Sequence, residues 1–337
     1  MPWCSRPTSL DPDCWNKSVP LQVTDGHQLL VASLGWPNLD DWWNRWEGVG
    51  GVNLARDQWS VPVMDAWVTF VGLPLLSRVE CALSEGRRVL LGVSALPGCG
   101  KSTLCSWVKS ASQTLGWPVE HLSLDDFYWP AEQLDKSVQG NPWSVSRALP
   151  GSHDIDGMLQ SLETWKESGL ITAPRFDKAL RNGRGDRFGS SSSRSQVVLL
   201  EGWFLGASPH PSIETEIVEG LSDQELEWRS RAESLLADYR QIWTCLDDLW
   251  HLRAIHSGLS SQWKRQQLAT LEQHSGVGFR PNELSDFNRM VLAALPPSWL
   301  HNLARAGVVI DLTGSRSIRE IKVLRTQLSA SSSSATG

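Results

Sequence analysis

The sequence has no block of basic residues, no cysteine pair at metal-binding spacing, no apolar run long enough to cross a membrane and no internal repeat. Each absence removes a class of function. A net charge of -6 without a basic stretch argues against a nucleic-acid partner held through phosphate contacts. The six cysteines lie scattered outside any CxxC pair, so they suggest neither a zinc site nor a disulfide framework. The longest weakly interrupted apolar stretch, 66–76, is short of a membrane span, which predicts no membrane partner. The start, "MPWCSRPTSLDPDCW", has neither an apolar signal core nor a basic amphipathic pattern, and a cytoplasmic, unprocessed protein is expected.

What is abundant is apolar: 41% of the 337 residues are hydrophobic and 19 are tryptophan, spread along the whole chain. That is ample for a large core. Residues 1–85 read as a helical extension, with "LDDWWNRWEG" and "VPVMDAWVTFVGLPLLSRVECALSEG" carrying apolar residues at helical spacing. From 86 to 328 the pattern changes to short apolar runs, "RRVLLGVS", "VEHLSL", "QVVLLEG", "LWHLRA" and "GVVIDL", separated by longer polar or helical stretches. Such alternation predicts an α/β fold, a mainly parallel buried sheet with helices on both faces. The serine-rich stretches 189–195 and 329–337 read as a loop feeding a strand and a disordered tail.

The first chemical signal is "GVSALPGCGKSTLCS" at 92–106. A glycine-first phosphate loop fails at Ala95, but the looser form, Ala or Gly, four residues, then Gly-Lys-Ser, is met between a strand and a helix. Gly98 and Gly100 let the backbone curl its N–H groups onto phosphates, and the helix start adds its positive end. The nucleotide loop then comprises Pro97, Gly98, Cys99, Gly100, Lys101, Ser102 and Thr103. Lys101 would bridge the β- and γ-phosphates of ATP, and Ser102 would hold Mg2+. Oxidation of Cys99 within the loop is one possible control. No Asn-Lys-x-Asp guanine reader and no "LSGGQ" follows, which disfavours a GTPase and a transporter-type ATPase.

Downstream, "HLSLDDFYWP" at 121–130 brings two carboxylates and an aromatic pair to the end of a second strand. Here the chain resembles the P-loop superfamily of uridine kinase, phosphoribulokinase and pantothenate kinase. "PGSHDIDGM", "PRFDKALRNGRGDR" and "LLEGWFLG" then occur in that order. The series over about 89–312 is similar to the D-glycerate 3-kinases of plants and photosynthetic bacteria. The resemblance implies a three-layer P-loop fold with a helical lid at about 252–276, and transfer of the ATP γ-phosphoryl group to D-glycerate in photorespiratory carbon recovery. Another small-molecule kinase of the superfamily, or an ATP-binding regulator without catalysis, is the alternative.

Carried over by position, the resemblance makes Asp125 the base that accepts the acceptor's proton, Tyr128 a wall of the substrate site, and Asp126 a carboxylate on the metal side. It sets Glu201 beside the metal with Ser102, and His153 and Asp154 beside the acceptor. The alternative for Asp125 and Asp126 is to cap the next helix. "RFDKALRNGRGDR" is the one basic concentration, where a small acid would be drawn. Arg175 belongs to it, Arg184 or Arg187 is expected to hold the carboxylate, and Asp177 to orient hydroxyls. In the lid segment "QWKRQQ", either Lys264 or Arg265 would clamp the γ-phosphate.

Overall fold

The computed structural model describes residues 21–58, 65–208, 220–266 and 282–324. The expected serine-rich tail and the part of the expected lid beyond 266 lie outside these residues. Helices α1 (Leu21–Ser33) and α2 (Leu39–Glu47) come first, α2 being capped by Asn38, whose side-chain oxygen accepts from the Asp41 amide at 2.8 Å. Helix α3 (Asp65–Ser84) follows and contains a π turn over Val68–Gly72. Pro74 has no N–H to give to the ladder just beyond that turn. By length and apolarity α3 could span a membrane, but 78% of its most apolar window is buried inside the protein.

The core alternates thereafter: β1 (Val89–Ala95), α4 (Lys101–Thr114), β2 (Val119–Ser123), α5 (Ala131–Val138), α6 (Ile155–Ser168), the strands β3 (Leu170–Asp177), β4 (Asp186–Arg194) and β5 (Val197–Gly202), then α7 (Asp223–Cys245) and β6 (Asp248–Ala254). Helices α8 (Glu283–Ala293) and α9 (Pro297–His301) lead to β7 (Val308–Leu312) and β8 (Ile318–Val323). Six strands form one sheet in the order β2-β5-β1-β6-β7-β8, parallel except for β8. The mainly parallel α/β sheet is the one the apolar runs predict.

Strand residues alternate between two cores. Val89, Leu91 and Val93 face one with Val197 and Leu199, while Leu90, Val198 and Leu200 face the other. The first core also takes Val23 and Leu30 from α1, Trp42 and Trp46 from α2, and Val71, Leu75 and Leu76 from α3. The amino-terminal helices therefore form, with α4, one outer layer of the sandwich. The second layer is α6, α7 and α8.

One expectation needs correcting. The serine run at 189–195 lies largely within β4, not in a loop, and pairs antiparallel with β3 in a separate two-stranded ribbon. Its hydroxyls find partners there: Ser192 pairs with Thr172 at 2.7 Å, and Ser193 donates to Glu120 at 2.7 Å. Cross-strand bonds do for this ribbon what apolar burial does for the main sheet.

Candidate active site

All seven residues of β1 are buried, and the strand delivers residues 96–100 to the carboxyl edge of the sheet, where α/β folds bind ligands. Gly98 and Gly100 have φ of 78° and 111°, a region that suits glycine. Space imposes the same choice at Gly98, where a Cβ would stand 2.8 Å from the Lys264 nitrogen and 2.9 Å from the Trp263 Cβ. The Pro97 carbonyl accepts from Ser260 at 3.1 Å, and the Gly98 carbonyl from Arg316 Nε at 3.0 Å. Arg316 also donates to the Trp263 carbonyl at 3.3 Å, and its own carbonyl accepts from Trp67 Nε1 at 2.7 Å. The loop is thus braced from behind by α3 and by the turn between β7 and β8. Cys99 is fully buried, and burial pushes its thiol up to about 12. A thiol held protonated and out of solvent is a poor redox control.

Gly100 leads into α4, whose first residues are Lys101, Ser102 and the half-buried Thr103. Ser102 Oγ donates to Glu201 Oε1 at 2.7 Å, and Lys101 Nζ lies 3.5 Å from Glu201 Oε2. Glu201 is 3% exposed, at the end of β5, in register with Val93 and Ser123. Burial, the largest influence, favours its neutral form, but Lys101, His121 and the Ser102 hydrogen bond together keep the pKa below the ordinary value. Burial likewise opposes the Lys101 charge, and Glu201 and Asp125 restore it. Glu201 Oε2 is buried and accepts no hydrogen bond. That oxygen, paired among the described residues only with Lys101, and the Ser102 hydroxyl suit Mg2+, which takes one or two protein oxygens and fills its shell with water and phosphate. No three His, Cys, Asp or Glu residues cluster as a metal site among the described residues.

Beyond β2 the chain makes a 3-10 turn, Leu124–Phe127, closed by a capping box: the Ser123 side chain accepts from the Asp125 amide at 3.2 Å, and Asp126 Oδ2 accepts from the Ser123 amide at 3.0 Å. Asp126, expected on the metal side, therefore spends one oxygen on the cap. Asp125 is turned the other way. Its Oδ1 accepts from Tyr128 Oη at 2.8 Å and its Oδ2 from Lys178 Nζ at 2.6 Å. Burial would raise the Asp125 pKa, but Lys178, with Lys101, holds it far below the carboxylate range.

The acidic-substrate residues fall differently from expectation. Arg184 lies 2.8 Å from Asp135 on α5, beside Arg181, which pairs with the same carboxylate. Arg187 donates to the Tyr128 carbonyl at 2.7 Å, the Phe127 carbonyl at 3.4 Å and Asp154 at 3.0 Å. Asp154 in turn caps α6 through the Gly157 amide at 2.9 Å, and Asp177 accepts from the Ala179 amide at 2.8 Å in its own turn. Arg187 thus braces the turn that carries Asp125, while Arg184 is tied to α5, Asp154 to the start of α6 and Asp177 to its own turn. Arg175 is exposed on β3, near enough to Asp126 to favour its charge. Replacing Arg187 with Ala should cost about 2 kcal/mol in urea melts, because it strips the Tyr128 carbonyl and a half-buried carboxylate of a charged donor. Arg184→Ala, whose pair is half exposed, should cost under about 0.5 kcal/mol.

Lys178, in the quoted "PRFDK", is the cation that touches Asp125, a role the sequence pattern did not single out. Lys264 faces the same space. Burial, then Lys178, Lys101 and Arg147, bring its pKa down to about 8, and Arg265 is exposed instead. Arg147 was also missed; it binds the carbonyls of Gly183 and Arg184 at 2.6 and 3.1 Å, and no motif marks it. Trp67 and Arg316 could not be found from local pattern either, although a non-glycine φ of 61° at Arg316 flags a special position once the structure is known. Lys178 and Lys101 act on Asp125, and with Arg147 they act on Lys264, a set of cations suited to a phosphorylated or acidic ligand.

No family model matches the chain. A chloroplastic D-glycerate 3-kinase of Arabidopsis thaliana is 31% identical over 219 residues, 61% of this chain and 46% of that protein, so the match spans about half its length. The uncharacterized kinase mug58 of Schizosaccharomyces pombe is 30% identical over 220 residues, 60% of this chain and 78% of that protein. Among solved structures, a D-glycerate 3-kinase from Cryptococcus neoformans shares the fold, with a TM-score of 0.58 at 18% identity over 90% of this chain and all of that one. With that identity over most of the length of a kinase, on a fold whose phosphate loop opens onto a strand-end aspartate, this chain belongs to the family of P-loop kinases that includes mug58 and the plant D-glycerate 3-kinase.

Proposed function

We propose that the protein transfers the γ-phosphoryl group of ATP to the 3-hydroxyl of D-glycerate, giving 3-phosphoglycerate and ADP, and we extend this reading to photorespiratory carbon recovery. The observation that carries it is the pairing of Asp125 with Lys178 at 2.6 Å, beside Lys101 of the phosphate loop. A carboxylate able to accept a hydroxyl proton and a cation able to take a carboxylate stand side by side. The Arabidopsis relative, a D-glycerate 3-kinase, supports the same substrate.

In this reading the α4 amides and Lys101 hold the β- and γ-phosphates. Ser102 and Glu201 would hold Mg2+, which neutralises charge on the phosphate oxygens when bound. Lys178 leaves Asp125 for the acceptor's carboxylate, and the freed Asp125 becomes more basic as its strongest partner is drawn off. Asp125 then takes the proton of the attacking hydroxyl. Lys264, half-neutral near pH 8 in the empty site, is driven to its charged form by the phosphates and stabilises the negative charge in transfer.

An ADP-release assay across D-glycerate, pantothenate, uridine and ribulose 5-phosphate tests the substrate. Turnover with glycerate alone is expected; turnover with any of the others and none with glycerate overturns the reading. Lys178→Met should raise the glycerate KM by about 30-fold or more, through loss of a charge-assisted contact, with the ATP KM unchanged.

A further inference from the structure

His153 sits 2% exposed in the turn before α6, stacked on Tyr128 with ring centroids 4.4 Å apart. Its Nδ1 lies 2.8 Å from the Tyr239 hydroxyl, reaching in from α7. That hydroxyl oxygen also accepts from the Gly151 amide at 2.9 Å. An amide N–H can only donate, so the phenolic oxygen is the acceptor there and its one proton is left for a second partner. His153 Nδ1 is that partner. Ser152 Oγ, 3.5 Å from Nδ1, has already given its proton to the Leu149 carbonyl at 2.5 Å. An imidazole that accepts at Nδ1 carries its proton on Nε2, and Nε2 is buried with no hydrogen-bond partner.

An orphaned donor in a buried site calls for an explanation. The groups packed around the ring are Tyr128 and the charge of Asp125 from the 3-10 turn, Phe204 after β5, and Tyr239 from α7. None of them takes the Nε2 proton, and Asp125 is the carboxylate of the acceptor side.

We propose that Tyr239 is a positioning residue that fixes His153 as the neutral Nε2–H tautomer, so that Nε2–H donates to an oxygen of the bound hydroxy acid. The proposal rests on the small-acid reading above and deepens it. Burial, which brings the His153 pKa to about 4, agrees with a ring that stays neutral. The acceptor then meets a cation at Lys178 and a neutral donor at His153, one for its carboxylate and one for a hydroxyl or the second carboxylate oxygen.

Long-range 1H–15N correlation on histidine-labelled wild-type protein tests the tautomer directly, with His153→Gln identifying the signal. A protonated Nε2 and an unprotonated Nδ1 at pH 7 are expected; the opposite tautomer or a cationic ring overturns the proposal. Adding D-glycerate with a non-hydrolysable ATP analogue should shift the Nε2 resonance, and an unmoved resonance with saturating glycerate removes the donor role. Tyr239→Phe keeps the ring among Phe204 and Trp243 and removes the lock. Its glycerate KM should rise about tenfold, with kcat within threefold and the ATP KM unchanged. An unchanged glycerate KM, or an equal rise in both KM values, overturns the positioning role. If wild-type protein turns over no glycerate at all, the substrate reading fails, while the tautomer still stands or falls by the NMR signal alone.

Discussion

Asp125→Asn should lower kcat with D-glycerate by about 10³-fold or more while the dissociation constant for ATP moves less than threefold. The amide has nearly the shape of the carboxylate and can still accept from Tyr128 Oη, which lies 2.8 Å away in the native chain. What it loses is the place for a proton and the charge that holds Lys178. The two losses can be separated. Freed from its partner, Lys178 should bind the acid at least as well, so the glycerate KM should stay level or fall while turnover collapses. Single-turnover kinetics with radiolabelled ATP would read the chemical step, and a variant turning over within tenfold of wild type would remove Asp125 from the base role.

Lys101→Met carries the second large effect: kcat lowered by about 10³-fold or more, with a loss of stability that depends on pH. Lys101 is the largest favourable influence on the buried Glu201 carboxylate, against a burial cost of opposite sign. In the native chain the Glu201 pKa lies below its unfolded value, so its contribution to stability is present above the unfolded pKa and fades as pH falls through the folded one. Without Lys101, burial dominates and the folded pKa rises above the unfolded value. The sign then reverses: stability is fullest at low pH and is lost as pH rises through the new folded pKa. Urea melts should show the deficit of Lys101→Met relative to wild type to be larger at pH 8 than at pH 5. A deficit independent of pH would mean that Glu201 finds another cation.

The strands that build the nucleotide edge were legible because each is a short, continuous apolar run, and a run buried on both faces can be little else. Lys101 was legible because its loop follows such a run and opens a helix, whereas Asp125 and Glu201 were read from the resemblance, and the sheet brings the strand ends that carry them together. The ribbon was not. Strand β3 buries only Ile171 and Ala173 in the core and β4 is held by pairing and hydroxyl bonds, so the ribbon shows little apolar signature and "SSSS" reads as a loop. Lys178 depends on that ribbon to reach Asp125, which is why a charge count put it on a par with Arg184 and Arg187. Those two arginines illustrate the converse: the residue type fits a carboxylate, but Asp135, Asp154 and two backbone carbonyls reach them first. Strand β8, "IREIKV", alternates charged and apolar residues at an edge and escaped notice for want of a continuous run.

The contacts between the two ends of the chain bear on how the protein is made. The α1 backbone at Gly26 lies so close to β8 that a Cβ there would fall 2.2 Å from the Ile321 carbonyl oxygen, and the Trp67 indole reaches across 249 residues to Arg316. Arg316 then closes on Gly98 across 218 more. At about 5–20 residues per second of synthesis, roughly 10–45 s separate the emergence of the phosphate loop from that of the arginine that braces it. Through that interval the nascent chain carries a cradle without its rear support and an outer helix layer without its edge strand, so the ability to grip a nucleotide waits on a residue made 218 positions after the loop.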